Sequence, residues 1–190
     1  MVLSRLLFCI TAALCLCSCQ STTASPDAAQ PSESSASTPL TADGWGPLRV
    51  GMTREEVVAA LGEDANPDAV GGPDPEQCDE FRPSRAPVGM LVMIEQGRLT
   101  RISLINGSPI KTEAGFGVAD SASAIKAAYA GKAVVTPHKY VPPPAEYITI
   151  WSTAPTEPNA RGIVYEVGSD ARATHVRAGG PSIQYVEGCL

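Results

Sequence analysis

Two histidines and one cluster of acids are the residues here whose types could do chemistry. His138 sits in Pro137-His138-Lys139-Tyr140, just before Pro142-Pro143-Pro144, and His175 falls in a segment that reads as part of the last hairpin. Imidazole serves as a general base or a metal ligand. A zinc site needs three or four ligands, however, and two histidines are poor material for one. Surface or hydrogen-bonded roles are the expectation for both. Asp74, Glu76, Asp79 and Glu80 surround Cys78, but their spacing is not that of an EF-hand loop, so a solvated acidic loop is expected instead. There is no Gly-x-Ser-x-Gly elbow, no Ser-x-x-Lys and no phosphate-cradling glycine loop. A hydrolase pairing Asp or Glu with His175 is conceivable, yet no nucleophile accompanies it. No catalytic, cofactor-binding or metal-ligating residue is assigned, no cofactor is expected, and the chain reads as a non-enzyme.

The six cysteines divide by position. Arg5 followed by the apolar run Leu6 to Leu16 has the form of an export signal, too short to span a bilayer as a stable helix. Leu16-Cys17-Ser18-Cys19 then resembles the lipobox of bacterial lipoproteins, in which a cysteine is lipidated after cleavage on its amino side. Cys17 stands where Ala, Ser or Thr is commoner. Cys15 and Cys17 are rival acceptors, but Cys19 has Leu at −3 and a small residue at −1. The alternative is an ordinary secretory signal cut near Ser18 or later. Gln20 follows Cys19 where Asp would favour inner-membrane retention, which leans the address to the outer membrane, with the domain facing the periplasm. Lipid chains add about 0.8 kcal/mol per buried methylene, so acylated Cys19 would anchor the chain firmly. Cys9, Cys15 and Cys17 leave with the signal (residues 1–18) and Cys19 is consumed by lipid. Cys78 and Cys189 remain, an even pair in an oxidising compartment, and a disulfide between them is expected. The alternative, a reactive thiol at Cys78, lacks a CxxC or a basic neighbour to lower its pKa.

Composition narrows the partners. The 190 residues are 44% hydrophobic and 18% charged, with aromatics only 5%, so the core must be largely aliphatic. Net charge is −6, and removal of residues 1–18 leaves 13 basic against 20 acidic residues, or −7. That balance argues against nucleic acid and against purely electrostatic docking on anionic lipid. The expected partners are the membrane, through the lipid, and an envelope protein. Residues 19–43, dense in Ser, Thr, Ala and Pro, read as a disordered tether with a root-mean-square reach of about 25 Å.

The elements that must position everything else begin near Trp45. Thr53 is a good N-cap, Glu56 completes a capping box, and Gly62 ends a short helix whose Val57, Val58 and Leu61 share a face. Glu63 to Gln77 is a long loop. Cys78 to Arg82, Met90 to Ile94 and Leu99 to Leu104 read as strands, the last two as a hairpin, and the polar positions of Leu99 to Leu104 alternate as in a half-exposed strand. A weaker helix signal recurs over Phe116 to Gly131, with Ser121 in the cap position. Strands follow at Tyr147 to Trp151, Gly162 to Val167, Arg172 to Val176 and Ile183 to Val186. Helix, hairpin and arginine recur in order, which suggests internal duplication. The stiff Val141-Pro142-Pro143-Pro144 loop, near Tyr140, Tyr147 and Trp151, offers a recognition edge. Tyr140, His138 and Trp151 are the candidate binding surface, although alternation also places Trp151 in the core.

Val50 to Gly62, with its Gly-Met-Thr, polar pair, Val and Leu-Gly, resembles the domain of BamE (SmpA, OmlA), a lipoprotein of the outer-membrane β-barrel assembly machinery. The tandem order is similar to the β-lactamase inhibitory protein. The resemblance implies an α+β fold of two tandem repeats, residues 44–110 and 111–190, each with short helices packed on an antiparallel sheet. It implies a role as an assembly accessory or, alternatively, an inhibitor-like binder of a periplasmic enzyme. BamE has one copy and the inhibitor has a disulfide in each repeat, so no binding residue is carried over from either.

Overall fold

A computed structural model describes residues 38–68, 71–105 and 107–189. The signal segment, Cys19 and most of the tether lie outside the described residues. Two short strands, β1 (Gly44–Trp45) and β2 (Leu48–Arg49), pair with each other. They precede helix α1 (Arg54–Leu61) and strands β3 (Cys78–Phe81), β4 (Met90–Glu95) and β5 (Arg98–Leu104). Helix α2 (Ala122–Ala128) follows, then β6 (Val134–Pro137), β7 (Glu146–Thr153), β8 (Arg161–Val167) and β9 (Ala173–Gly179).

Strands β3 to β9 form one antiparallel sheet of seven strands in the order β3-β4-β5-β9-β8-β7-β6. This corrects the expectation of two tandem α+β repeats. The protein is mostly β, with two helices of 8 and 7 residues among the described elements. The reason is the seam between β5 and β9, where Leu104 lies opposite Val176 and Ile102 opposite Ala178. Strands from the two halves of the chain hydrogen-bond to each other, so neither half closes a sheet of its own. The recurrence seen in the sequence is local. Arg98 donates to the Gly51 carbonyl at 2.9 Å and Arg172 to the Ala119 carbonyl at 2.8 Å, each tying the approach to a helix onto the start of a strand.

Cross-strand register sorts the side chains into two faces. On one, Phe81, Val92, Ile102, Ala178, Ile163 and Ile150 lie in a row across six strands. Met90, Leu104, Val176, Tyr165 and Ile148 form the next row. These join Leu40, Trp45, Leu48, Val57, Leu61, Ile110 and Ile125 in one core. Leu40 is fully buried and its N–H donates to the Lys111 carbonyl at 2.9 Å, so the packed chain includes a residue of the segment read as tether.

Local chemistry explains the elements. Thr53 and Glu56 make the reciprocal bonds of a capping box, and Gly62, at φ +89°, ends α1. Gln96 and Gly97, both with positive φ, form the two-residue turn between β4 and β5, the left-handed pair that matches strand twist. Strand β4 is apolar at five successive positions because both its faces are buried. The segment Ile183 to Val186 is not a strand: Pro181–Gln184 is a single 3-10 turn, started by a proline that presets its φ.

Candidate functional site

The second face of the sheet is built differently. Glu80, Met93, Arg101, Gly179, Gly162 and Trp151 form one row, and Leu91, Ser103, Arg177, Val164, Thr149 and Val134 the next. Arg101 and Arg177 are only 3% and 4% exposed. The expectation of a half-exposed β5 is therefore corrected: its polar positions Arg101 and Ser103 are buried beneath the C-terminal segment. Arg101 donates to Glu80 at 2.7 Å and to the carbonyls of Ser182 and Tyr185 at 3.1 Å. Arg177 ion-pairs with Glu166 and also donates to the Tyr185 carbonyl.

Residues 180–189 thus lie across this face as a strap, held at three kinds of point. The two arginines grip its carbonyls. Ile183 packs with Tyr147 and Val164, with Trp151 and Val186 alongside. Cys189 is joined to Cys78 on β3. Gly162 leaves the room, since a Cβ there would come within 3.0 Å of Ile183 and 2.8 Å of the Trp151 ring.

His138 and His175 both approach Glu166, at 3.3 and 3.6 Å from Oε1. His138 Nδ1 accepts from the N–H groups of Tyr140 and Val141 at 3.1 and 3.2 Å, so the proton sits on Nε2, which donates to Glu166. Its ring is buried and stacks on Tyr147 with centroids 4.7 Å apart. A metal ion between the histidines would need the Nε2 electron pair that this proton occupies, and Arg177 supplies a competing positive charge. Burial holds the His175 pKa below its ordinary value; Glu166 and Glu80 oppose that shift, while Arg177 and Arg101 add to it. With Arg177 and His138 already bound to Glu166, that carboxylate is committed to structure. The acids around Cys78 separate in the same way. Asp79 pairs with Arg54, Glu80 pairs with Arg101 on the opposite face, and Asp74 accepts from the Glu76 N–H at 3.2 Å.

The three residues read as a binding surface do not form one. The His138 side chain is turned inward against Glu166 and Tyr147, Trp151 is half-buried beside the strap, and Tyr140 is 59% exposed beyond the end of β6. Sequence reasoning missed β6 itself. Val134-Val135-Thr136-Pro137 is short and runs into a proline, so it carries little strand signal. It pairs with β7 on one side and with no strand on the other among the described residues. Val134 and Val135 are 54% and 44% exposed. A cavity of about 200 Å³, lined by Val134, Thr136, Trp151 and Ile183, flanks this strand on the strap side. Another of about 380 Å³, lined by Val135, Pro137, Lys126 and Pro143, flanks it on the opposite side.

No family profile and no curated protein matches the chain. Among solved structures it is similar to an extracellular protein containing an SCP domain from Bacillus anthracis str. Ames, at 9% identity and a TM-score of 0.41. That similarity covers 69% of this chain and 44% of the other, and no property of that protein is carried over. No helix among the described residues is long and apolar enough to cross a membrane.

Proposed function

We propose that this chain is a lipid-anchored envelope module that binds another protein and performs no catalytic step. The observation that carries the reading is the edge of the sheet at β6. Of the five large apolar side chains most exposed among the described residues, Val134 and Val135 lie on this strand, one on each face, and Tyr140 follows just beyond its end; one side of the strand pairs with no other among the described residues. Exposed apolar side chains beside free backbone groups are the chemistry of strand addition. The lipobox around Cys19 and the BamE-like stretch Val50 to Gly62 support a place at the periplasmic side of the outer membrane. The engagement of Glu80, Glu166, Arg101 and Arg177 with one another supports a structural role for the charged face.

The test is crosslinking in intact cells, followed by affinity purification and mass spectrometry, with wild type and Cys19→Ala compared. We expect wild type to recover a defined envelope protein and Cys19→Ala to leave the membrane fraction. Recovery of no specific protein from wild type would overturn the binding reading, and continued membrane attachment of Cys19→Ala would overturn the anchor.

A further inference from the structure

Resting on the protein-binding reading above, we infer that the free edge of β6 takes an extended, acid-flanked peptide strand of its partner. Alternation along β6 directs Val134 and Thr136 to the strap side of the sheet and Val135 and Pro137 to the other. Val134 lines only the strap-side cavity, Val135 and Pro137 line only the other, and Thr136 borders both. A strand laid beside β6 would therefore set alternate side chains over the two cavities. The one on the strap side ends on Trp151, Ile183 and Val186 and suits a branched apolar side chain.

Backbone direction fits the same geometry. His138 N–H donates to the Ala145 carbonyl at 3.3 Å, which marks His138 as facing β7. Counting back, Thr136 and Val134 also face β7, and Val135 turns both its N–H and its C=O to the open side. Pro137 has no N–H, and that of Ala133 donates to the Tyr129 carbonyl at 3.0 Å. Among the described residues the edge thus offers the Val135 N–H as its one outward donor between Ala133 and Pro137, a narrow and register-specific docking point.

Charge selects the occupant. Residues 121–145 hold three lysines, Lys126, Lys132 and Lys139, and no Asp, Glu or Arg, whereas the remainder has 11 basic against 20 acidic residues. Lys126 and Lys139 are paired with Glu146 and Glu187, while no ion pair involves Lys132 among the described residues. Lysines at a sheet edge repel a second copy of the same edge. They attract a strand that carries acids at its ends.

The experiment titrates the full chain, purified in detergent, with two short capped peptides of alternating valine and threonine, one ended by aspartates and the other by lysines. Binding is read from Trp151 fluorescence, with Trp45→Phe as background, and from the backbone amide shift of Val135. We expect the aspartate-ended peptide to bind saturably and to shift Val135. The lysine-ended peptide should bind more weakly, and Lys132→Glu should weaken the aspartate-ended peptide by about fivefold. Val135→Pro should abolish binding; Lys132→Glu, an exposed change, keeps the test sound if the proline variant fails to fold. Equal binding of both peptides, shifts confined to residues away from β6, no binding of either, or a dimer of the free chain blocked by Val135→Pro would each overturn the inference. Photo-crosslinkers placed at Val134 and at Tyr185 in cells separate the two claims. A partner captured only from Tyr185 would sink the edge assignment and leave protein binding standing, and capture from neither position would sink both.

Discussion

The two faces of the seven-stranded sheet are covered by opposite means. One is apolar: Phe81, Val92, Ile102 and Ala178 meet Leu40, Trp45, Leu48 and the apolar sides of both helices, and burial of hydrocarbon holds the layers together. The other carries two buried arginines and the carboxylates that pair with them under a strap that is itself bonded by carbonyls, a small apolar cluster and a disulfide, with two histidines beside Glu166. Hydrocarbon packing is nondirectional and tolerates repacking. Buried ion pairs are directional and punish the loss of one partner. The sheet therefore has a forgiving side and a demanding one.

The largest expected effect lies in the covalent part of the strap. The Cys78–Cys189 bond spans a sequence separation of 111, and the chain-entropy account gives about 4–5 kcal/mol for a loop of that size. Cys189→Ser should lower the urea-derived unfolding free energy by that order, and wild type in reductant should match it. A variant as stable as oxidised wild type would show that the arginines alone hold the strap.

Next comes a direct contest between faces, made by neighbours on one strand. Arg101→Ala strands Glu80 and should cost about 3–5 kcal/mol, whereas Ile102→Ala opens an aliphatic cavity at about 2–5 kcal/mol. The faces differ more sharply in rescue. Arg101→Met combined with Glu80→Gln should regain most of the Arg101→Ala loss, because no buried charge is left unpaired. Absence of rescue in equilibrium unfolding would mean that Arg101 stabilises mainly through its bonds to the strap carbonyls. A smaller effect belongs to the aliphatic side: Thr53→Ala removes the α1 cap and should cost about 1 kcal/mol by the same measurement.

The smallest is a pH effect confined to the charged side. His175 is held below its ordinary pKa, first by burial, so the unfolded chain binds its proton at higher pH than the folded one. Stability should fall as pH drops below the unfolded value of about 6.5, and level off below the folded pKa. Between about pH 7.5 and about pH 5.5 the wild-type urea midpoint should fall further than that of His175→Gln. Identical slopes would remove His175 from the account of this face.

Much of the local structure was legible in the sequence, because local chemistry specifies it. Thr53 and Glu56 cap α1, Gln96-Gly97 turns β4 into β5, and the regions of β3, β4, β5, β7, β8 and β9 were all read as strands. The single sheet was not legible, since the pairing of Leu104 with Val176 leaves no trace in either strand taken alone. The charged face was hidden for a related reason. A polar alternation such as Thr100-Arg101-Ile102-Ser103 looks the same whether water or a distant strap covers Arg101. The edge at β6 escaped notice because four residues ending in proline carry too little pattern.

The seam between β5 and β9 also sets when the molecule can fold. Central neighbours in the sheet are far apart along the chain, and 71 residues lie between Leu104 and Val176. Closing such a loop costs entropy before any cross-strand contact repays it, so high contact order slows folding. The hairpin of β4 and β5 can form alone, but its β5 edge stays open until β9 arrives. A chain interrupted between β5 and β9 would present that edge, with Ile102 and Leu104 beside it, to whatever strand it met first.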